Sequence, residues 1–324
     1  MDIVPKQHTI HLIARHAEAT LWLARYMERI ENLARILDVT NTFACDANDS
    51  RNWLSIPRIN GDLIAFQKKH AQATQRSVGE FYLLDATNAT SVQESIVSAR
   101  ENARTLRALI STEMWLQINV FHSRIRALSA AHVTPDHFTS VCAMLKDGSQ
   151  LHTGITEGTL YRDQAWHFYM IGRYLERADQ STRLLDTRFH ALAPQMEATD
   201  TDLDLDAGTW NALLRAAAGY HAYRREHPNG YHPLEVACFL LANRAFPRSV
   251  GLNLSQVEWH LTQLRTHYML RGMSGALERL DQLNGAMTYQ NVTELGPGRL
   301  SPFLDYVQGE IAALHQDIIA TFNG

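Results

Sequence analysis

The clearest pattern in the chain is a run of apolar residues with a helical period between residues 11 and 43. At 100° per residue these side chains fall on one continuous arc, and polar residues occupy the opposite arc. The pattern predicts one long amphipathic helix, whose apolar arc is formed by Trp22, Leu23, Tyr26, Met27, Ile30, Leu33, Ala34 and Leu37.

Nine further segments show the same period, and the alternation typical of β-strands is almost absent. Turn-forming residues separate the segments at Asp147-Gly148, Pro194, His227-Pro228-Asn229-Gly230, Pro247 and Gly296-Pro297-Gly298. Residues 44–90 are less periodic, and we assign no helices there. The sequence therefore predicts an all-α fold, a multi-helix bundle or array, with helices over about 91–109, 112–130, 135–146, 160–191, 208–226, 232–244, 254–270, 273–287 and 302–322.

A charged motif occurs twice in the chain. Arg25-Tyr26-Met27-Glu28-Arg29, followed by Arg35-Ile36-Leu37-Asp38, returns 148 residues later as Arg173-Tyr174-Leu175-Glu176-Arg177, followed by Arg183-Leu184-Leu185-Asp186. Seven identical residues at identical spacing favour duplication of a helical unit, or two helices recruited to one symmetric site. We therefore expect two repeated helical units, 1–150 and 151–324, either separate or packed as one domain.

An acidic stretch near residues 194–207 lies within the second predicted unit. It has aspartate at positions 200, 202, 204 and 206 and lacks a helical pattern. We expect an exposed acidic linker, with an ordered cation-binding turn as the alternative.

Composition excludes several classes of function. The formal net charge of −4 provides no global basic field to hold a nucleic-acid backbone. The longest apolar run, Val236 to Ala242, is far too short to span a membrane, and the three cysteines are too widely spaced for a disulfide framework. We expect a soluble cytoplasmic protein with neither nucleic acid nor membrane as a partner.

Both copies of the motif use arginine, and lysine provides only 4 of the 30 basic residues. Arginine favours forked contacts with carboxylate or phosphate groups, although a GC-rich genome would produce the same bias. Side chains three, four and seven positions apart share an arc of roughly 120° on a helix, so their charged ends can meet. The candidate binding residues on these arcs are Arg25, Glu28, Arg29, Asn32 and Arg35 in the first copy, and Arg173, Glu176, Arg177 and Arg183 in the second.

These arcs have two interpretations. In the first, the glutamates form ion pairs within each helix on a solvated surface, each pair contributing only about 0.2–0.5 kcal/mol. In the second, the two helices face each other and the arginines line a partly buried site for an anionic ligand, with Glu28 and Glu176 orienting them. Spacing alone does not decide between these interpretations.

Two further groups of residues are candidates for the same site. Arg100, Glu101, Asn102 and Arg104 form a second charged cluster, although capping of a helix near Ser111 explains part of this region equally well. Arg248 follows Pro247 in a predicted connector, where positioned side chains often bind ligands.

The familiar catalytic motifs are missing. The sequence has no His-Glu-x-x-His, and no glutamate is followed three residues later by histidine, so we expect no metal site. It also has no phosphate-binding glycine loop and no nucleophile elbow. Catalytic residues and cofactors therefore stay unassigned.

The run Ala14-Arg15-His16-Ala17-Glu18, continuing through Leu21-Trp22-Leu23-Ala24-Arg25-Tyr26-Met27-Glu28-Arg29, resembles the opening helix of the bacterial alpha-E proteins. The resemblance covers nearly the whole chain, through Ala99-Arg100-Glu101-Asn102-Ala103-Arg104, Met114-Trp115, Glu157-Gly158-Thr159, Gly172-Arg173-Tyr174-Leu175-Glu176-Arg177 and Phe246-Pro247-Arg248-Ser249. It departs from the family pattern at Ile30 and at Arg162-Asp163, away from the charged positions.

The resemblance implies a helical protein encoded beside, or fused to, circularly permuted ATP-grasp peptide ligases. Transglutaminase-like peptidases and a proteasome-related peptidase are further neighbours of the family. The resemblance therefore implies that the chain works with an ATP-grasp amidoligase that forms amide bonds on amino acids or small peptides. A cleft between the repeated helices would hold a small anionic substrate, peptide or intermediate.

Within that expectation Arg25, Arg29, Arg173 and Arg177 would bind the anion. Glu28 and Glu176 would orient them, or one would act as a general acid or base if burial raised its pKa. The alternative is a non-catalytic helical adaptor whose Glu-Arg motifs are buried ion pairs that fix helix register. An independent transferase activity has no local support.

Overall fold

A computed structural model describes residues 12–44, 50–196, 207–295 and 297–321 of the chain. Those residues contain fifteen α-helices, one π-helical turn and one 3₁₀ turn, and no strand, which confirms the predicted all-α fold. The helices are α1 Ala14–Ala44, α2 Ser50–Ile59, α3 Leu63–Lys69, α4 Gln75–Gly79, α5 Val92–Thr105, α6 Thr112–Arg126, α7 Pro135–Thr159, α8 Gln164–Met196, α9 Ala207–Ala216, α10 Tyr220–Glu226, α11 Pro233–Ala242, α12 Val250–Thr266, α13 Ser274–Ala286, α14 Tyr289–Leu295 and α15 Pro297–Ala320.

The two longest helices, α1 and α8, form the centre of the array. Helices α5 and α7 pack against α1, while α12 and α15 pack against α8. The predicted apolar arc of α1 lies in the core, where Leu23, Ile30 and Leu37 are fully buried. The opposite, charged arc is also covered, because Glu28, Glu31 and Asn32 are buried. Helix α1 is therefore enclosed on both sides, unlike an amphipathic helix on a surface.

Helices α1 and α8 run parallel and lie unusually close together. Asn32 of α1 bonds Gln180 of α8, and the earlier residue Leu21 lies beside Gly172. A Cβ atom on Gly172 would lie only 2.2 Å from the carbonyl oxygen of Leu21. Glycine at this position therefore allows the two backbones to approach, which brings the copies of the motif face to face.

The helix boundary predicted at Asp147-Gly148 and the single helix predicted over 208–226 are wrong. A break was expected at Asp147-Gly148, but α7 continues through it to Thr159. The glycine has a packing role there, since a Cβ atom on Gly148 would lie 2.3 Å from the ring of Phe121 on α6. The helix expected over 208–226 is instead divided into α9 and α10, where Ala218 adopts a left-handed conformation with φ of 57°.

The region without assigned helices, 44–90, contains α2, α3 and α4 followed by a π-helical turn over Glu80–Leu84. These elements are 5 to 10 residues long, too short to produce a strong helical period. Buried aromatic side chains join them, with Phe66 packed edge-to-face against Phe81.

The predicted division into units at residue 150 stays a prediction. The acidic stretch 197–206 lies outside the described residues, and α8 extends past the expected end at Pro194 to Met196. Cys142 and Cys238 are buried free thiols, whereas Cys45 also lies outside the described part of the chain. Among the described helices, none combines the length and apolar character required to cross a bilayer.

Candidate functional site

The two copies of the motif bind each other reciprocally. Arg29 Nε and Nη2 donate to the two carboxylate oxygens of Glu176, at 2.8 and 3.1 Å. Arg177 Nε and Nη2 donate to Glu28 in the same way, both at 2.8 Å. The 148-residue spacing makes Arg29 and Arg177 equivalent positions, and likewise Glu28 and Glu176. Each helix therefore supplies the guanidinium fork for the carboxylate of the other.

One side of this contact is a group that we call the Glu176 cluster. Arg25 adds a second guanidinium to Glu176, with Nε 2.7 Å from Oε2. Gln180 Nε2 also donates to Glu176, at 3.1 Å, and Arg183 pairs with Asp179 at 2.9 Å. The guanidinium of Arg25 lies over the ring of Trp22. The charged members of the Glu176 cluster are Arg25, Arg29, Glu176, Asp179 and Arg183.

The other side, the Glu28 cluster, contains the equivalent residues and one addition. Arg248 bridges two carboxylates, with Nη1 2.9 Å from Glu28 Oε1 and Nη2 2.9 Å from Glu31 Oε1. Arg35 pairs with the same oxygen of Glu31 at 2.5 Å. The charged members of the Glu28 cluster are Glu28, Glu31, Arg35, Arg173, Arg177 and Arg248.

The local chain path explains how Arg248 reaches the cluster. Helix α11 ends at Ala242, and Pro247 lies in the short connector that precedes α12. Ser249 caps α12 by accepting a hydrogen bond from the Leu252 amide at 3.3 Å. Ser181 of α8 donates to the main-chain carbonyl of Arg248 at 2.8 Å. The backbone on both sides of Arg248 is therefore fixed, which directs its side chain toward α1.

Both central carboxylates stay ionised near neutral pH. Burial alone would raise the pKa of Glu28, but the guanidinium groups of Arg177 and Arg248 outweigh burial and lower it to about 2. Burial alone would also raise the pKa of Glu176, but the guanidinium groups of Arg29 and Arg25 lower the pKa of that carboxyl well below its usual range. The condition on which the general acid or base role depends, a pKa raised by burial, is therefore not met at either carboxyl.

The structure places several candidates in one centre and leaves others outside it. Arg25, Glu28, Arg29, Asn32 and Arg35 of α1 meet Arg173, Glu176, Arg177 and Arg183 of α8, together with Arg248. The ion pairs of Glu28 and Glu176 join different helices in the interior, so the interpretation as pairs within one solvated helix is wrong for them.

The second charged cluster forms separate contacts on α5. Arg100 Nε donates to Asn119 of α6 at 2.8 Å, and Arg104 pairs with Glu101 at 2.6 Å on an exposed surface. Asn102 is half-buried on the same helix. Helix α5 packs against α1, and its residues Ala99 and Ala103 are buried, whereas Glu101 and Arg104 are exposed. The contacts of Arg100, Glu101 and Arg104 in the described structure join neither cluster on α1 and α8.

Sequence reasoning missed the acidic partners Glu31 and Asp179. Both form ion pairs with arginine: Glu31 binds Arg35 and Arg248, and Asp179 binds Arg183. The signal was present, because the two residues are also 148 positions apart and each precedes an arginine of the motif by four. The repeated motif contains identical residues only, so it omits this position, which is glutamate in the first copy and aspartate in the second.

The family comparison covers the whole array. Residues 12–322 match the model of Alpha-E, described as a predicted alpha-helical domain with a conserved ER motif. The chain belongs to the Alpha-E family. In this Alpha-E chain the Glu-Arg dipeptides 28–29 and 176–177 are the residues that pair reciprocally between α1 and α8. No curated protein and no solved structure matches the chain.

The chemistry of the Alpha-E centre is ionic. No group of three or more metal-ligating side chains occurs among the residues that the structure describes. The centre instead combines buried carboxylates with a larger number of guanidinium groups. Such an arrangement can fix two helices in register, and its unpaired guanidinium donors can hold an oxyanion.

Proposed function

We propose that this Alpha-E chain is a non-catalytic helical partner of a circularly permuted ATP-grasp amidoligase in amide-bond formation on amino acids or small peptides. The reciprocal pairing of Glu28 with Arg177 and of Glu176 with Arg29 supports a non-catalytic role most directly. Both carboxylates are occupied by at least two guanidinium groups each and are almost completely buried. They hold helix register, and their oxygens are already engaged by guanidinium donors.

The ligase supplies the reaction in this proposal. ATP-dependent amide formation handles carboxylate, phosphorylated and aminoacyl species, which are anionic or strongly polar. The partnership itself follows from the family resemblance, which also implies a transglutaminase-like peptidase as a further partner. The helical chain would bind the ligase as an adaptor.

A second candidate function is that the chain itself holds the anionic substrate or intermediate. An excess of guanidinium groups favours this function, because the two clusters contain seven arginines and four carboxylates. Buried charge of one sign is costly unless an opposite charge accompanies it. An anionic ligand would provide that charge.

Reconstitution tests the proposed partnership. The chain, a circularly permuted ATP-grasp ligase, ATP and a panel of amino acids would be combined, with ADP and amide product measured. We expect turnover to increase when the chain is present and to persist with Arg76→Ala, which removes an exposed ion pair to Glu80. Turnover that is the same with and without the chain would contradict the partnership.

The variant Arg177→Ala separates a structural from a direct role of the ER residues. A structural role predicts that ligase stimulation decreases in step with the folded fraction, measured by a thermal melt. Full stimulation should therefore return at a temperature where the variant is folded. Loss of stimulation in the fully folded variant would instead assign Arg177 a direct role in the reaction.

A further inference from the structure

The two clusters are equivalent by sequence but differ in charge. The Glu176 cluster has three guanidinium groups and two carboxylates. The Glu28 cluster has four guanidinium groups and two carboxylates, because Arg248 has no counterpart among the described contacts of the other cluster. Glu157 also approaches Arg173, at 3.2 Å, but it is 40 % exposed and is shared with Arg162 at 3.8 Å, so it offsets the buried charge only in part. The six charged members of the Glu28 cluster themselves carry an excess of two positive charges.

Burial makes this excess unfavourable. The four arginine side chains of the Glu28 cluster are between 9 % and 18 % exposed. Burial, together with the like charges of Arg177 and Arg35, lowers the pKa of Arg248 even though Glu28 and Glu31 oppose that shift. The ionised state of this group is therefore incompletely balanced by the protein.

Unused donors accompany the excess charge. Arg35 Nε and Arg173 Nε are buried and have no hydrogen-bond partner among the residues that the structure describes. The equivalent atoms of the Glu176 cluster are both satisfied, since Arg183 Nε donates to Asp179 at 2.9 Å and Arg25 Nε donates to Glu176 at 2.7 Å. Buried N–H groups without protein partners are rare in folded proteins, and those that do occur can donate to a bound ion.

The excess positive charge and the unused donor of Arg35 occur together at Glu31. Arg35 and Arg248 both bind its Oε1 atom, at 2.5 and 2.9 Å, so two guanidinium groups converge on a single carboxylate oxygen. At the equivalent Asp179, Arg183 is the guanidinium partner in the described structure. The Arg35 side chain is 18 % exposed, so part of the guanidinium group reaches solvent although its Nε atom is buried.

We propose that Arg35 and Arg248 form a binding site for a phosphoryl dianion, with the free Nε–H of Arg35 as one of its donors. A doubly charged group matches the local excess of two charges, and its tetrahedral oxygens suit donors from two guanidinium planes. This inference rests on the second candidate function above, anion holding, and narrows the ligand to phosphate esters or acyl phosphates. It does not depend on the partnership with the ligase.

Inorganic phosphate is the probe that tests the site, using the isolated full-length chain. Binding would be measured by calorimetry and by thermal melts. At constant ionic strength, sodium chloride would be replaced by sodium phosphate or, as a singly charged comparison, by sodium acetate. We expect phosphate to raise the melting temperature more than acetate or chloride does. Equal melting temperatures in the three salts would overturn the proposal.

Two matched variants locate the site. Arg35→Gln should weaken phosphate binding by about tenfold or more, because a hydrogen bond to a charged group is lost. Arg183→Gln, the equivalent change in the Glu176 cluster and outside the proposed site, should leave phosphate affinity unchanged. Equal losses in both variants would indicate a diffuse charge effect and overturn the site.

Stability without phosphate provides an independent readout. In chloride buffer Arg35→Gln should lower the melting temperature less than Arg183→Gln does, because Glu31 keeps Arg248 as a partner whereas Asp179 loses Arg183. The reverse order would overturn the argument from excess charge. Since no ligase is present, failure of these experiments leaves the proposed partnership standing, and failure of the reconstitution leaves the phosphate site standing.

Discussion

Asn32 and Gln180 occupy equivalent positions of the repeated motif and bind each other directly, with Asn32 Nδ2 2.8 Å from Gln180 Oε1. Both side chains are buried. Because these two residues are equivalent, their contact lies at the centre of the interface between α1 and α8. The two reciprocal Glu–Arg pairs lie on either side of this contact.

This contact predicts a measurable coupling. Asn32→Ala removes the amide and leaves a buried acceptor on Gln180, so it should reduce the free energy of unfolding by about 1–3 kcal/mol. Gln180→Ala should have a similar effect, and the double variant should lose less than the sum of the two. Urea unfolding of the four proteins measures the cycle, and strict additivity would show that the two side chains are not coupled.

The close approach of α1 and α8 makes a second prediction. In Gly172→Ala the new methyl group would meet the Leu21 carbonyl at 2.2 Å, so the helices must separate. We expect a loss of about 1–3 kcal/mol or more in the free energy of unfolding, as is typical of overpacked cores.

Gly158→Ala is the matched control for that change. A Cβ atom there meets no atom of the described residues within 4 Å, and alanine is the better helix former, so the variant should be as stable as the parent or slightly more so. Equal stability of the two variants in a urea titration would contradict the argument that Gly172 permits the backbone contact.

The sequence predicts the helical class well but not how the helices are enclosed. The period along α1 correctly identifies Leu23, Ile30 and Leu37 as core, since that signal depends only on spacing within one helix. It cannot show that the charged arc is also buried, because the covering residues come from α8 and from the α11–α12 connector. Burial of Glu28 is a property of the assembled fold.

The candidate site shows the same limit. The duplicated motif correctly identifies residues that meet across 148 positions of sequence, because equivalent positions on two parallel helices come into contact. The charged residues of α5 have similar spacing, but Arg100 binds Asn119 of α6 and Arg104 pairs with Glu101 on an exposed surface. Spacing defines which side chains share a helix face, and only packing decides what that face contacts.

Charge removal at the centre is the third prediction. Glu176→Gln leaves Arg25 and Arg29 facing a neutral amide in a buried position, so the free energy of unfolding should fall by about 3–5 kcal/mol. Glu80→Gln is the control, since it weakens the exposed pair with Arg76 and should change stability by less than about 1 kcal/mol. Similar effects in thermal and urea unfolding of both variants would argue against buried ion pairs as the source of helix register.

A buried histidine pair predicts how stability depends on pH. The Nδ1 atoms of His167 and His260 lie 2.9 Å apart between α8 and α12, so one ring donates and the other accepts. Burial lowers the pKa of His167 to about 4, with a contribution from the neighbouring His267, and lowers that of His260 to about 3, with a contribution from His167. Both rings are therefore neutral in the folded chain at pH 6.

The sign of the effect follows from proton uptake. Below about pH 6.5 the unfolded chain binds protons at these histidines and the folded chain does not, so stability decreases as the pH falls. Each histidine contributes a slope of up to about 1.4 kcal/mol per pH unit until its folded pKa is reached. The lowered pKa of Glu28 acts at more acidic pH, because its stabilisation is complete above the usual glutamate pKa of 4.5 and is lost below it.

Urea titrations between pH 7 and pH 5 isolate the histidine contribution. His260→Gln should reduce the slope by about one histidine's share, up to about 1.4 kcal/mol per pH unit, since one buried titrating ring is removed. His137→Gln, at an exposed position of α7, should leave the slope unchanged. The same slope in the parent and in His260→Gln would show that this ring does not resist protonation in the folded chain, and the acid sensitivity would then have to arise at other buried histidines such as His152, whose pKa burial lowers to about 3.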